Sequence, residues 1–201
     1  MASVPKDAKQ GLPGAPFYLE NNFFELASAL RAQFEEQIST AIDRNSGMTP
    51  LVYAYSHDNF QFLTAGSDRL FAPDILENLI NKLRSWGIAT AGAQSVSTPQ
   101  VRVYIHGCRR YLLRDGVGAP WHYMLSLTQG HHGEALCVKM LREGTQKGTD
   151  SREIGLNRTL SLQLDFNQLF VHDTNNAYSI EPGRPSMDPH SSAIFLDGYL
   201  W

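Results

Sequence analysis

The sequence predicts a mainly β protein of the α+β class, a sandwich or barrel of short strands buttressed by helices near the N-terminus. Two observations carry this. Helical periodicity is confined to the first ninety residues, and from Val96 onward short strand-like runs recur, separated by Gly, Pro, Asn and Asp. A third bounds it: 201 residues with 42% hydrophobic and 18% charged side chains suit one folded domain.

Residues 1–19, rich in Pro, Gly, Lys and Asp, read as a flexible lead-in, and 20–201 as a single domain. The first helix is expected to start at Asn22, with Glu25 reaching back as a capping box. Phe23, Leu26, Ala27, Leu30, Phe34, Ile38 and Ile42 repeat at the spacing of one helical face, and Asn45–Pro50 ends the run. Leu51–Tyr55 and Phe60–Thr64 read as a hairpin around Ser56–Asn59, with His57 at its tip. A second helix is expected over Asp74–Trp86. Pro73 stands at its entry, Gly87 lies past its end, and Ile75, Leu76, Leu79, Ile80, Leu83 and Trp86 form its stripe. The predicted strands follow: Gln100–Ile105, Tyr111–Arg114, His122–Leu127, Ala135–Met140, Leu160–Leu164, Leu169–His172, Tyr178–Glu181 and Ser192–Leu200. The polar Gly144–Asn157 is long enough to be a functional loop.

A net charge of −3 gives no reason to expect nucleic acid or an anionic membrane as partner. No apolar run is long enough to span a bilayer, and the first twenty residues lack an apolar core. Cys108 and Cys137, the only cysteines, make neither a disulfide framework nor a zinc motif. Cytoplasm is the expected location.

Along residues 96–201 stand, in order, Tyr104-Ile105-His106-Gly107, Leu113-Arg114-Asp115, Leu125-Ser126-Leu127-Thr128 and Gly133-Glu134. Asn167-Gln168-Leu169-Phe170-Val171, Tyr178-Ser179-Ile180-Glu181-Pro182 and the closing Phe195–Trp201 follow. In order and spacing these pieces resemble the prolyl-hydroxylase-like branch of the iron(II)- and 2-oxoglutarate-dependent oxygenases. The resemblance implies a double-stranded β-helix, a jelly-roll or cupin-like barrel. It also implies an iron site of two His and one carboxylate, open to 2-oxoglutarate.

This chain departs from that pattern at the site. Leu113 stands at the first His position and Tyr178 at the second, and Asp115 alone keeps its ligand type. Ala193 stands where the arginine for the cosubstrate's far carboxylate belongs. Leucine has no lone pair, and a phenol with a reference pKa of about 10 is a poor ligand for ferrous iron. Loss of a bidentate Arg–carboxylate contact weakens cosubstrate binding further. The expectation is a pseudoenzyme with no cofactor, which binds a peptide or small-molecule substrate for partner enzymes in a biosynthetic pathway. The alternative is an enzyme: an Fe(II)- and 2-oxoglutarate-dependent oxygenase with a rearranged ligand set, or a metal-free cyclase or isomerase. A homodimer is compatible with either.

Tyr104, Asp115, His122 and Tyr178 are the candidate ligand-binding residues. A metal, if held at all, would draw on Asp115, His122 and His172, with Asp173 and Thr174 as neighbours. Each has a plainer reading, as a turn aspartate, a packed tyrosine or a satisfied strand histidine. His131 and His132 point apart as neighbours and read as a solvated turn. Arg109 and Arg110 read as a charged loop end, and Arg114 as a surface charge.

Overall fold

The structure, a computed structural model, describes residues 17–43, 50–56, 59–105, 118–129, 137–141, 159–175, 177–181 and 192–201. Ten strands and two α-helices follow in the order β1 (Phe17–Glu20), α1 (Ala27–Asp43), β2 (Val52–Ser56), β3 (Asn59–Gly66), α2 (Pro73–Trp86), β4 (Gln100–Tyr104), β5 (Trp121–Ser126), β6 (Cys137–Leu141), β7 (Thr159–Gln163), β8 (Leu169–Asp173), β9 (Ala177–Glu181) and β10 (Ala193–Leu200). They form a seven-stranded sheet, β1-β8-β5-β10-β4-β3-β2, and a three-stranded sheet, β7-β6-β9. Every pairing is antiparallel.

Side chains alternate across the large sheet and give it two faces. Val101, Val103, Tyr123, Leu125, Val171, Ile194 and Leu196 share a buried cluster with Phe23, Leu30 and Phe34 at α1 and Leu79 and Leu83 of α2. Each such fully buried side chain contributes about 1.5–3 kcal/mol, so this face fastens both helices to the sheet. The opposite face carries a second cluster of Phe17, Tyr104, Met124, Phe170 and Phe195, against which Leu162 of β7 packs. This face looks toward the small sheet.

The hairpin of β2 and β3 forms as expected, with a register shift between Ala54 and Tyr55. Helix α2 starts at Pro73, whose missing N–H costs nothing in a first turn. It does not stop at Gly87. A wider, π-type turn continues to Ala91, and Gly92 ends it at φ 71°, a conformation open to glycine without strain.

The N-terminal expectations need two corrections. Residues 17–19, read as the end of a flexible lead-in, belong with Glu20 to an edge strand paired with β8. Helix α1 begins at Ala27, because Asn22 sits at φ 51°, where no N-cap forms. The approach to α1 is held from across the sequence instead. Asn167, itself at φ 58°, accepts from Phe24 N at 2.8 Å and donates to Phe24 O at 3.0 Å. Glu25 pairs with Lys82 of α2 at 2.6 Å rather than closing a capping box.

Candidate functional site

Four polar side chains meet on the inner face of the large sheet, at the end where β5 starts and β8 and β10 finish. His122 lies directly opposite His172 on one side and Tyr199 on the other. Asp197 and Arg102 stand on the same face, on β10 and β4. His122 and His172 are 0% exposed and Asp197 1%. A strand period of two explains the placement: residues 122, 172 and 197 each adjoin a helix-facing residue of the buried cluster, Tyr123, Val171 and Leu196, so all three turn inward.

The contacts form a line. Arg102 Nη2 lies 2.7 Å from Asp197 Oδ2. His122 Nε2 lies 3.1 Å from the same oxygen, and His122 Nδ1 lies 3.0 Å from His172 Nε2. His172 Nδ1 ends the line 3.0 Å from the Asp173 carbonyl. The guanidinium also stacks over Phe62, 4.7 Å from the ring centroid, which fixes its plane.

Hydrogen-bond chemistry assigns the protons along this line. A carbonyl only accepts, so His172 Nδ1 carries hydrogen. Burial, helped by the charge of His122, pushes His172 down to about 3, so this imidazole is neutral and its Nε2 accepts. His122 Nδ1 must then donate. His122 Nε2 faces the carboxylate, 3.1 Å from the oxygen that Arg102 also reaches. Behind the sheet, burial and the charge of Asp197 push the Tyr123 phenol up, and its hydroxyl donates to Ser97 O at 3.3 Å.

The structure joins His122 and His172, and adds Asp197 and Arg102, which sequence reasoning missed. The signal was present. Asp197 is the one charge in the run Ala193–Leu200, and Arg102 is the one charge between Val101 and Val103. Tyr104 lies on the same face but in the aromatic cluster, with ring centroids 5.6 Å from Phe62 and 6.1 Å from Phe195. Ala193 lies opposite it on β10. Asp173 closes its own turn, accepting from Asn175 N at 2.8 Å, and Thr174 N donates to Pro120 O at 3.1 Å. Asp115, Leu113, Arg114, Arg109, Arg110, His57, His131, His132, strand 111–114 and loop 144–157 lie outside the described residues, as does the side chain of Tyr178. The backbone of Tyr178 lies in β9, opposite Met140 of β6 in the small sheet.

Among the described residues, no three His, Cys, Asp or Glu side chains are placed to hold one metal ion. The reason is directional: His122 turns one nitrogen to His172 and the other to Asp197, so no single ion reaches all three. His122, His172 and Asp197 are therefore not a three-ligand set for one ion. No described helix is long and apolar enough to cross a membrane. An open groove on α2, lined by Phe71, Leu76, Ile80 and Arg84 among others, lies apart from this chemistry.

Two antiparallel sheets in this strand order, with helices packed on the larger, are the double-stranded β-helix of the iron- and 2-oxoglutarate-dependent oxygenases. Among solved structures, the chain is similar to the non-heme alpha-ketoglutarate-dependent carbocyclase SnoK of nogalamycin biosynthesis. The TM-score is 0.63 at 11% identity, over 98% of this chain and 83% of that one. AviO1 of Streptomyces viridochromogenes gives 0.61 at 13% identity, over 92% and 90%. A prolyl-4-hydroxylase of Pseudomonas putida gives 0.55 at 13%, over 93% and 92%. No family model matches the sequence, and no curated protein matches it significantly.

Proposed function

We propose that this chain uses an oxygenase scaffold to bind a small-molecule or peptide substrate of a biosynthetic pathway, without iron and 2-oxoglutarate, and presents it to partner enzymes. The observation that carries this reading is the line from Arg102 through Asp197 and His122 to His172. It occupies the inner wall of the large sheet, and it commits both nitrogens of His122 to hydrogen bonds. Leu113 and Tyr178 at the two His positions point the same way. The carbocyclase SnoK and the epimerase SnoN, both from nogalamycin biosynthesis, have this fold and support a place in biosynthesis.

The test is anaerobic calorimetry of the purified chain with iron(II), with and without 2-oxoglutarate. No binding of either is expected. Micromolar iron binding that 2-oxoglutarate strengthens would overturn the reading and assign an oxygenase.

One feature supports a second reading, a metal-free acid–base catalyst for a cyclisation or isomerisation. His122 Nδ1 faces His172 Nε2 at 3.0 Å, an arrangement that moves a proton with little rearrangement. Turnover that survives a chelator and falls in His122→Gln would select it over pure binding.

A further inference from the structure

The polar line leaves one atom over. Asp197 Oδ2 receives both Arg102 and His122, whereas Asp197 Oδ1 is buried and has no hydrogen-bond partner among the described residues. A buried acceptor without a partner is a standing cost to the fold. Arg102 Nη2 and His122 Nε2 both converge on the other oxygen. The carboxylate is held through one oxygen, and the other is buried without a hydrogen-bond partner among the described residues.

We infer that Asp197 Oδ1 is a ligand-binding acceptor, and that it takes a neutral donor, a hydroxyl or an amide N–H, carried on an apolar body. This deepens the binding reading above and rests on it. Three observations define the class. A cationic donor is disfavoured, because the Arg102 guanidinium already stands 2.7 Å from this carboxylate, and like charges repel strongly away from water. An anionic group is excluded because it has no hydrogen to give Oδ1. An apolar body is required because Met124 lies opposite Asp197 in the sheet, with Phe195 and Phe170 buried on the same face.

The test uses the full chain, labelled with 13C at aspartate carboxyl carbons and 15N in histidine rings. The probes are phenol, N-methylacetamide, methylammonium and acetate, each titrated separately. Phenol or N-methylacetamide should move the Asp197 carboxyl and His122 ring signals along a saturable curve, and the charged probes should not. A response to phenol alone marks a hydroxylated small molecule, and a response to N-methylacetamide alone marks a peptide. Asp197→Asn should weaken the responding probe about tenfold, the worth of a hydrogen bond to a charged group. If that variant fails to fold, the wild-type titration decides. The inference is overturned if neither neutral probe gives a saturable shift, which leaves an ordered water alone on Oδ1. It is overturned equally if methylammonium binds there, or if Asp197→Asn binds as tightly as wild type. Binding that ignores Asp197 would sink this inference and leave the broader reading standing, whereas iron binding would sink the broader reading alone.

Discussion

The two faces of the large sheet are built on opposite principles. Toward the helices, β4, β5, β8 and β10 present Val101, Val103, Leu125, Val171, Ile194 and Leu196, with Tyr123 as the only hydroxyl. Toward the small sheet, the same strands present Arg102, His122, His172 and Asp197 beside Met124, Phe170 and Phe195. Four charged or titratable groups in a buried wall do not stabilise a fold as well as apolar ones of equal volume. The helix face explains why the chain folds. The inner face carries the polar line on which the proposed function rests.

The comparison breaks most visibly under substitution. Phe34→Ala, on the helix face, should cost about 3–5 kcal/mol from lost burial and a residual cavity. Asp197→Leu, on the inner face, should cost a similar amount, about 3–5 kcal/mol, because Arg102 and His122 both lose this acceptor. The two differ in what repairs them. Adding Arg102→Met to Asp197→Leu removes one of the two groups that faced the carboxylate and should restore part of the loss. No single polar-to-apolar change should repair Phe34→Ala. Urea unfolding of the four proteins checks this, and an Asp197→Leu loss unmoved by Arg102→Met would mean the pair is not coupled.

A smaller effect comes from pH. An unfolded imidazole titrates near 6.5, and His172 in the fold titrates near 3. Below 6.5 the unfolded chain therefore takes up a proton that native His172 refuses. Its contribution to stability is full above pH 6.5 and declines as the pH falls toward 3, by at most about 1.4 kcal/mol per pH unit. At pH 5 the ring 15N shifts of His172 should still report a neutral imidazole protonated at Nδ1. A ring already doubly protonated at pH 5 would refute the proton assignment along the whole line.

The helix face was the legible one. Its residues repeat at 3.6 in α1 and α2 and at two in the strands, and burial follows period when a whole face is apolar. The inner face was half legible. His122 and His172 stood out as residue types, but their meeting depends on β5 and β8 being neighbours in the sheet, which periodicity does not encode. Asp197 and Arg102 went unread because attention fell on Ala193, where the resemblance placed an arginine. The odd charge in an apolar strand was the better guide. The N-terminal segment failed for another reason. Phe17–Glu20 is a strand only because β8 offers it an edge, and no local signal announces a partner more than a hundred residues away.

Glu25 gives the smallest and sharpest case, because sequence and structure assign it different work. As a capping-box residue it would act on its own helix, and its loss would fray α1. In the structure its carboxylate accepts from Lys82 Nζ at 2.6 Å, and Lys82 lies 5.9 Å from the centre of the Phe23 ring. The ammonium holds the Glu25 carboxyl below its ordinary value. A carboxylate depressed this way stabilises the fold above its unfolded value and loses that contribution as the pH falls through its folded value. Both side chains face solvent, so Lys82→Met should cost no more than about 0.5 kcal/mol at low salt, and less as salt screens the pair. Double-mutant cycles between Glu25→Gln and Lys82→Met should show this coupling. The same cycle against Asn22→Ala should show none, since at φ 51° Asn22 does not cap α1. Coupling of Glu25 to Asn22 instead would restore the capping box and shift the start of α1 back toward Phe23.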